Sequence, residues 1–234
     1  MEQSRALAEL ELDRSVDVVW TMTSAERETR LLPIRIGIDK GLMGWRIALL
    51  AKGQEQLLTP VKNLQDLQGF RAGQGHDWPD RRILENSNLP VITSSSYHSL
   101  FLMLAAGRFD YFPRSLLEID EELKSHQQLD LVADPNLLLH YPTVSYFFVA
   151  PDNQKLADTI SRGLEQSLAD GSFDQLFYRY YGEILRRANI AQRRIIELSN
   201  PLLPSATPLN RTELWLTREK LLELGRSKAT NAEQ

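Results

Sequence analysis

Hydrophobic and polar positions follow two different rhythms along the chain. Compact apolar runs predict strands at 16–21, which is rich in β-branched residues and is expected to be buried, and at 45–51 and 144–149. Apolar residues spaced three and four apart predict amphipathic helices, the two longest at 154–169 and 172–187. Strands that alternate with helices at this spacing favour an α/β fold with largely parallel sheets.

The middle of the chain repeats strand, loop and helix several times. Further strands are predicted from 69–72, at 90–93, at 109–112 and at 129–133, with a helix over 80–86. Another helix is predicted after the possible caps at 94–96; it carries Leu100, Phe101, Met103 and Leu104, and Gly107 ends it. Pro113 is predicted to open a helix that runs through Leu123, because proline suits the first helical turn. Three prolines between 200 and 209 predict an extended C-terminal segment over 199–234, ending in a polar tail, with Leu214 and Trp215 packed on the body.

Composition narrows the classes of function. The 234 residues are 42% hydrophobic and 25% charged, with 27 Lys and Arg against 31 Asp and Glu, giving a net charge of −4. This mildly acidic chain lacks a basic block, so nucleic acid is not expected as a partner. The chain has no cysteine, which excludes disulfides, thiol catalysis and iron–sulfur clusters. Its four histidines show no metal-binding spacing, and no nucleophile elbow or P-loop occurs.

Four stretches occur in a fixed order: DVVWTMTSAER from Asp17, NLQDLQGFRAGQG from Asn63, SLFLMLAAGRFD from Ser99 and LADTISRGLEQSLADGSFDQLFYRYYG from Leu156. Together they resemble the periplasmic solute-binding proteins of the polar amino-acid type, the family-3-like substrate-binding proteins of ABC transporters. The resemblance extends over about residues 5–182.

The resemblance implies a two-lobed, type II periplasmic-binding-protein-like fold, with a mostly parallel sheet flanked by helices in each lobe. Lobe one is expected to comprise 1–52 and 144–234, and lobe two 53–143. Relatives usually begin with an export signal and a β-α-β segment before the point at which this resemblance starts. Lobe one is therefore expected to be incomplete at its N-terminus.

The same resemblance implies a function. It predicts a non-enzymatic protein of the periplasm that takes part in amino-acid transport or sensing. Hinge closure would trap a small anionic or amino-acid-like ligand between the lobes, without a cofactor or metal. A membrane permease or a sensor protein would then recognise the closed form.

The first expected ligand contacts follow the strand that begins at Asp17. Arg27 matches the family's arginine for the ligand α-carboxylate, which a guanidinium binds through two parallel hydrogen bonds. Thr23 and Ser24 form a hydroxyl-rich turn before it, and Trp20 is the aromatic residue nearest to this turn. The alternative for Arg27 is a surface ion pair with a neighbouring glutamate.

A second set lies in the glycine-containing loop after Phe70. Gln74, Gly75, His76 and Asp77 match the family's loop that contacts the ligand carboxylate, and backbone N–H groups at such a turn can form an anion cradle. The alternative is an ordinary tight turn. A metal site at His76, Asp77 and Asp80 is a weaker interpretation of the same residues.

A third set follows Asp110 and departs from the family pattern. Ser115 stands where relatives place an acidic partner for the ligand ammonium, and Arg114 precedes it. With Arg27, this gives two guanidiniums and favours an anionic ligand, for example a dicarboxylate. Glu118 lies one helical turn from Arg114 and either binds an amino group or pairs with Arg114. Tyr111 is a further expected contact.

Two other functions remain open at this point. Some relatives on this fold are dehydratases of cyclic carboxylates, for which Glu118 and His76 would be the acid donors. Alternatively, a degenerate module would bind a partner protein, or form a homodimer, through an exposed sheet edge.

Overall fold

The computed structural model describes residues 3–226, and the predicted polar tail beyond 226 lies outside the described residues. Its helices are α1 (Gln3–Glu11), α2 (Ala25–Arg30), α3 (Leu64–Leu67), α4 (Pro79–Asn86), α5 (Tyr97–Ala105), α6 (Ile119–Ser125), α7 (Gln154–Ala169), α8 (Ser172–Arg187) and α9 (Arg218–Arg226). Its strands are β1 (Val19–Met22), β2 (Leu32–Ile34), β3 (Trp45–Leu50), β4 (Ala72–Gly75), β5 (Val91–Ser94), β6 (Phe112–Ser115), β7 (Val132–Ala133), β8 (Leu137–His140), β9 (Ser145–Val149) and β10 (Arg194–Glu197). Within residues 3–226, every helix is too short or too polar to cross a bilayer.

The described residues form two compact units. The first contains the residues up to Leu42 together with Thr143–Glu183 and Leu202–Lys220. The second contains Met43–Pro142, Ile184–Pro201 and the residues from Leu221. The α/β class and the two-part organisation are confirmed. The lobe boundaries stay a prediction, and they differ from these units at β3 and β10, which belong to the second unit.

The first unit is built on a small antiparallel sheet. Strand β9 lies at its centre, with β1 and β2 as antiparallel neighbours. Tyr146 and Phe148 of β9 are buried against Leu10 of α1 and Leu31, while Val149 packs with Ile34 and Ala157 of α7. The alternation of side chains along β9 therefore gives the sheet an apolar core on both faces.

Leu202–Lys220 of the C-terminal segment belong to this first unit. Leu214 is buried, and Trp215 packs against both core clusters and donates from its indole nitrogen to the Pro208 carbonyl at 3.0 Å. The buried Lys40 donates to the Glu213 carbonyl and pairs with Asp174 at 2.7 Å. The predicted packing of Leu214 and Trp215 on the body is confirmed.

The second unit contains one mixed sheet and a separate parallel pair. The strand order is β10-β8-β3-β6, with β7 also paired to β3. Only β10 and β8 run parallel in this sheet as described, and β4 pairs with β5 in parallel. The expectation of mostly parallel sheets is therefore wrong. A strand, a helix and a second strand in succession predict parallel pairing only of those two consecutive strands, as for β4 and β5. Most other strand pairs in the described residues join strands that are distant in sequence, so this pattern does not predict their direction.

The bounds of some elements follow from the pattern of apolar side chains, and those of others do not. Helices α7 and α8 have the predicted bounds, because each has a continuous amphipathic stripe. Pro113, in contrast, lies within β6 opposite Ala48, and the following helix begins only at Ile119. Strand β6 ends the strand path of its sheet, a position that tolerates the missing N–H of proline.

Candidate functional site

Three strands of the second unit direct their carboxyl ends to the same edge. Strands β4 and β5 are parallel, and Ala72 bridges Tyr111 in parallel just before β6. Trp78 follows β4, Tyr97 follows β5 and Arg114 lies near the end of β6, and the three side chains meet at this edge. The ring centroids of Trp78 and Tyr97 are 6.1 Å apart, and the Arg114 guanidinium lies 4.9 Å from the Trp78 ring. Ligands of open α/β sheets bind at such an edge, which we call the carboxyl edge.

The two glycines of the motif lie in a strand rather than in a tight turn. Gly73 and Gly75 lie within β4, and their missing side chains make room for aromatic rings. A Cβ on Gly73 would lie 2.2 Å from the Phe109 ring, and one on Gly75 would lie 2.4 Å from the Trp78 ring. The N–H groups of Gly73 and His76 donate to the carbonyls of Tyr111 and Ser94, so those two donors are committed to backbone pairing.

The other residues of this loop divide by exposure. Gln74 is buried, and its Oε1 atom has no hydrogen-bond partner among the described residues. His76 and Asp77 are exposed in the turn before α4. Asp80 is buried and ion-paired to Arg46, whereas the structure describes no group of three His, Asp or Glu side chains arranged to hold a metal.

Arg114 is a buried charge at the carboxyl edge. Its Nε donates to both carboxylate oxygens of Glu122 at 2.9 Å, and its Nη2 lies 2.6 Å from Glu122 Oε1 and 3.0 Å from Glu118 Oε2. Burial opposes its charge, but the hydrogen bond to Glu122 and the two carboxylates raise the pKa of Arg114 above its usual value. Of the two alternatives for Glu118, the pair with Arg114 is the one observed.

Glu122 also connects helix α6 to the aromatic side chain of Tyr97. Tyr97 Oη donates to its Oε1 at 2.7 Å. Burial and this carboxylate raise the pKa of the Tyr97 phenol well above its usual value, so the hydroxyl stays a donor. Arg114 is thereby fixed from its carboxylate side and from its aromatic side.

A second buried arginine extends the cluster. Arg46 Nη2 lies 2.6 Å from Asp80 Oδ1, which also accepts from Tyr141 Oη, and Arg46 Nη1 lies 3.6 Å from Glu118 Oε2. Burial works against the charge of Arg46, yet Asp80, Tyr141 and Glu118 raise its pKa. The two guanidiniums face three carboxylates, so the cluster carries one excess negative charge.

That excess charge is accessible at one residue. The side chain of Glu118 is 36% exposed, while those of Asp80 and Glu122 are buried. Tyr111 and Ser115 have no exposed surface, and the Tyr111 hydroxyl is buried without a partner among the described residues. As described, the carboxyl edge therefore offers a solute Glu118 and the Trp78 region rather than Tyr111 or Ser115.

The first unit positions the remaining predicted residues around the start of α2. Ser24 caps this helix, its hydroxyl accepting from the Arg27 N–H at 3.2 Å. Arg27 Nη1 donates to Thr21 Oγ1 at 3.0 Å and to the Met22 carbonyl, so the guanidinium folds back on β1. Thr23 is buried and donates to Glu28 at 2.7 Å, whereas Trp20 is 68% exposed on β1.

Sequence reasoning missed two charged members of the cluster, Arg46 and Glu122, and it missed the ion pair between Asp80 and Arg46. One signal for Arg46 was present, because an arginine inside the apolar run WRIALLA requires a buried partner. Glu122 had no comparable signal, since it lies in the acidic helix IDEELKS among exposed carboxylates.

Comparisons with known proteins give the class of fold. No family model matches the chain. The ABC transporter arginine-binding protein 1 of Escherichia coli strain K12 is 27% identical over 126 residues, 51% of each chain. This chain thus spans about half the length of the curated relative that it matches.

Solved structures extend the likeness over more of the chain. An ancestral arginine-binding protein, solved with arginine, has a TM-score of 0.56 at 17% identity and covers 77% of this chain and 78% of its own. A Salmonella typhimurium periplasmic binding protein with high arginine specificity has a TM-score of 0.54 at 18% identity, with coverages of 75% and 76%. An amino-acid ABC transporter substrate-binding protein of Streptococcus pneumoniae, bound to L-arginine, has a TM-score of 0.54 at 11% identity, with coverages of 79% and 75%.

These likenesses show that the chain has the fold of the amino-acid substrate-binding proteins of ABC transporters. The resemblance to solute-binding proteins of the polar amino-acid type, predicted from the four sequence stretches, is confirmed.

Proposed function

We propose that this protein is a non-enzymatic solute-binding protein for an amino-acid-like ligand that carries a cationic group. The fold and the sequence likeness to transporter binding proteins support the first part. The charge of the carboxyl edge supports the second. An ammonium or guanidinium group is the chemistry that the accessible carboxylate of a negatively charged cluster attracts.

Glu118 is the observation that carries this proposal. It is the accessible carboxylate of a cluster with one excess negative charge, and Arg46 and Arg114 hold it in place. A carboxylate already oriented by two arginines loses little conformational freedom when it binds a cation. We therefore favour a cationic amino acid over the dicarboxylate that the two arginines indicated in the sequence.

The ligand carboxylate is assigned to Arg27 on the basis of the family motif. The capped helix start and the bonds from Nη1 to Thr21 and Met22 orient this guanidinium. Arg27 bound to a ligand carboxylate would gain a charge-assisted hydrogen bond. Thr23, Ser24 and Trp20 remain proposed neighbours of the ligand, as do Gln74, Gly75, His76 and Asp77.

The wider setting follows from the class of relatives. We propose that the loaded protein delivers its ligand to a membrane permease, and that it acts outside the cytoplasmic membrane. Homodimer formation is not needed for this function, and light scattering of the loaded and unloaded protein would measure it.

Isothermal titration with arginine, lysine, glutamate and succinate tests the proposed ligand class. We expect saturable binding of arginine or lysine, and Glu118→Gln should weaken it at least tenfold because the ligand cation loses its carboxylate. Glu121→Gln is the matched control, since Glu121 lies on the same helix but pairs with the exposed Lys124.

Two results would overturn the proposal. One is the absence of binding at millimolar concentrations of either cationic amino acid by a folded sample. The other is tighter binding of succinate than of arginine or lysine. Arg27→Met should weaken amino acids but leave a carboxylate-free amine such as agmatine unchanged, which tests the carboxylate assignment separately.

A further inference from the structure

The second unit contains a cavity that the carboxyl edge does not use. Its volume is about 110 Å³, room for roughly three to four water molecules. It lies against Ile47, whose side chain points to the opposite face of β3 from that of Arg46. Six apolar side chains line it: Ile47, Leu116, Ile119, Ala133, Ile184 and Ala188.

Arg193 provides the cation of this cavity. Its Nε donates to the Ala188 carbonyl at 2.6 Å, and its Nη1 donates to the carbonyls of Asp134 and Leu137. These three neutral acceptors fix the plane of the guanidinium without cancelling its charge. No carboxylate lies within ion-pair distance of Arg193 among residues 3–226, and Nη2 makes no hydrogen bond to them.

Among the charged side chains that line the cavity, one cation is in excess. Asp120 and Arg187 also line the cavity and pair with each other at 3.7 Å. Asp134 is buried and accepts from the N–H groups of Asn136 and Leu137, at 2.9 and 2.5 Å. Burial lowers the pKa of Arg193 and the charge of Asp134 opposes this shift, but Asp134 is not among the residues that line the cavity. A guanidinium held in one orientation beside an apolar cavity lining can bind a small amphipathic anion.

We propose that this cavity binds a small aliphatic monocarboxylate, with its alkyl group on the apolar lining and its carboxylate on Nη2 of Arg193. The volume limits the ligand to about six non-hydrogen atoms, as in isobutyrate. The single excess charge selects a monoanion over a dianion. A ligand of this size binds with a dissociation constant in about the millimolar range. The site is separate from the carboxyl edge and does not depend on the proposed function.

Methyl-detected NMR titration with isobutyrate tests the site on the full chain. We expect saturable shifts of the Ile47, Ile119 and Ile184 methyl groups. The neutral isostere isobutyramide should bind at least tenfold more weakly, since it lacks the charge that Arg193 recognises. Ala133→Leu should also weaken isobutyrate at least tenfold, because the larger side chain fills the cavity while every hydrogen bond of Arg193 remains.

Arg193→Gln provides a second variant, and its melting temperature is measured alongside because Arg193 also ties together three carbonyl groups. Arg186→Gln, one position before a lining residue and exposed, should bind isobutyrate like the unmodified chain. Non-saturable shifts, equal binding of the amide, or full binding by Ala133→Leu would each show that the cavity is a packing gap rather than a receptor.

Discussion

The partners that the structure describes differ between two arginines predicted to meet the ligand, one in each unit. Nη1 of Arg27 donates to a hydroxyl and a carbonyl oxygen, which are neutral acceptors. Arg114 is buried and bonded to both oxygens of Glu122, with Glu118 as a further partner. Hydrogen bonds to neutral oxygens orient a guanidinium, whereas a carboxylate also cancels its charge.

The difference changes how each arginine is interpreted. A motif position identifies a residue type, but the partners of that residue decide whether its charge reaches a ligand. The carboxylates around Arg114 turn the carboxyl edge from a positive into a negative site. An arginine therefore predicts an anionic ligand only where no internal carboxylate binds it first.

The largest expected effect comes from breaking the buried pair of the second unit. Glu122→Gln leaves the Arg114 guanidinium buried with one carboxylate fewer, and we expect the free energy of unfolding to fall by about 3 kcal/mol. Urea denaturation measures this loss. Glu121→Gln, which removes an exposed carboxylate from the same helix, should change stability by less than about 0.5 kcal/mol.

A double variant separates the contribution of the ion pair from that of side-chain packing at the same site. Arg114→Met combined with Glu122→Gln removes both charges, and it should recover part of the stability lost by Glu122→Gln alone. No recovery in the double variant would mean that packing, not ion pairing, makes Glu122 important.

A smaller effect is expected where Arg27 is oriented. Thr21→Val keeps the shape of a buried β-branched residue but removes the hydroxyl that accepts from Arg27 Nη1. We expect a loss of about 1 kcal/mol in urea denaturation. Thr29→Val, on the exposed face of α2, serves as the control. A loss as large as that of Glu122→Gln would contradict the contrast between neutral and charged partners.

The smallest effect concerns an arginine–carboxylate pair near the surface. Asp110 accepts from the backbone N–H of Arg71 and from its Nε and Nη2 atoms, at 2.7, 3.1 and 2.9 Å. These bonds, chiefly those to the Arg71 side chain, hold the pKa of the Asp110 carboxyl below its usual value. We expect Asp110→Asn to cost less than about 1 kcal/mol at pH 7.

The sign of its pH dependence follows from this lowered pKa. A carboxyl that holds its proton less tightly when folded stabilises the protein above the unfolded-state pKa, about 4. That contribution disappears as the pH falls through the lower, folded-state pKa. The difference between the unmodified chain and Asp110→Asn should therefore shrink below about pH 4. A difference that grows toward acid would contradict the assigned pair.

The sequence was informative where one local pattern determined the structure. The continuous apolar stripes of α7 and α8 sufficed to predict both helices. Pro113 was misplaced because its φ angle fits a helix start and an edge strand equally well, and only tertiary pairing with Ala48 decides between them.

The segments that form the site could be predicted from the sequence, but the sign of its net charge could not. The resemblance pointed to the segments that meet at the carboxyl edge, yet the sign of that edge depends on Arg46 and Glu122. Their partners lie 34 and 8 positions away, at Asp80 and Arg114. A single sequence contains no periodicity that records such pairings.

The attachment of the C-terminal segment to the first unit has a practical consequence for shortened or tagged versions of the chain. Ending it before Thr212 would uncover the clusters that Trp215 covers and would take the Glu213 carbonyl from Lys40. The stretch that follows the prolines is thus part of the core of the first unit, although it lies near the C-terminal end of the described residues. A reporter inserted between 202 and 216 would interrupt the folding of the first unit rather than extend a linker.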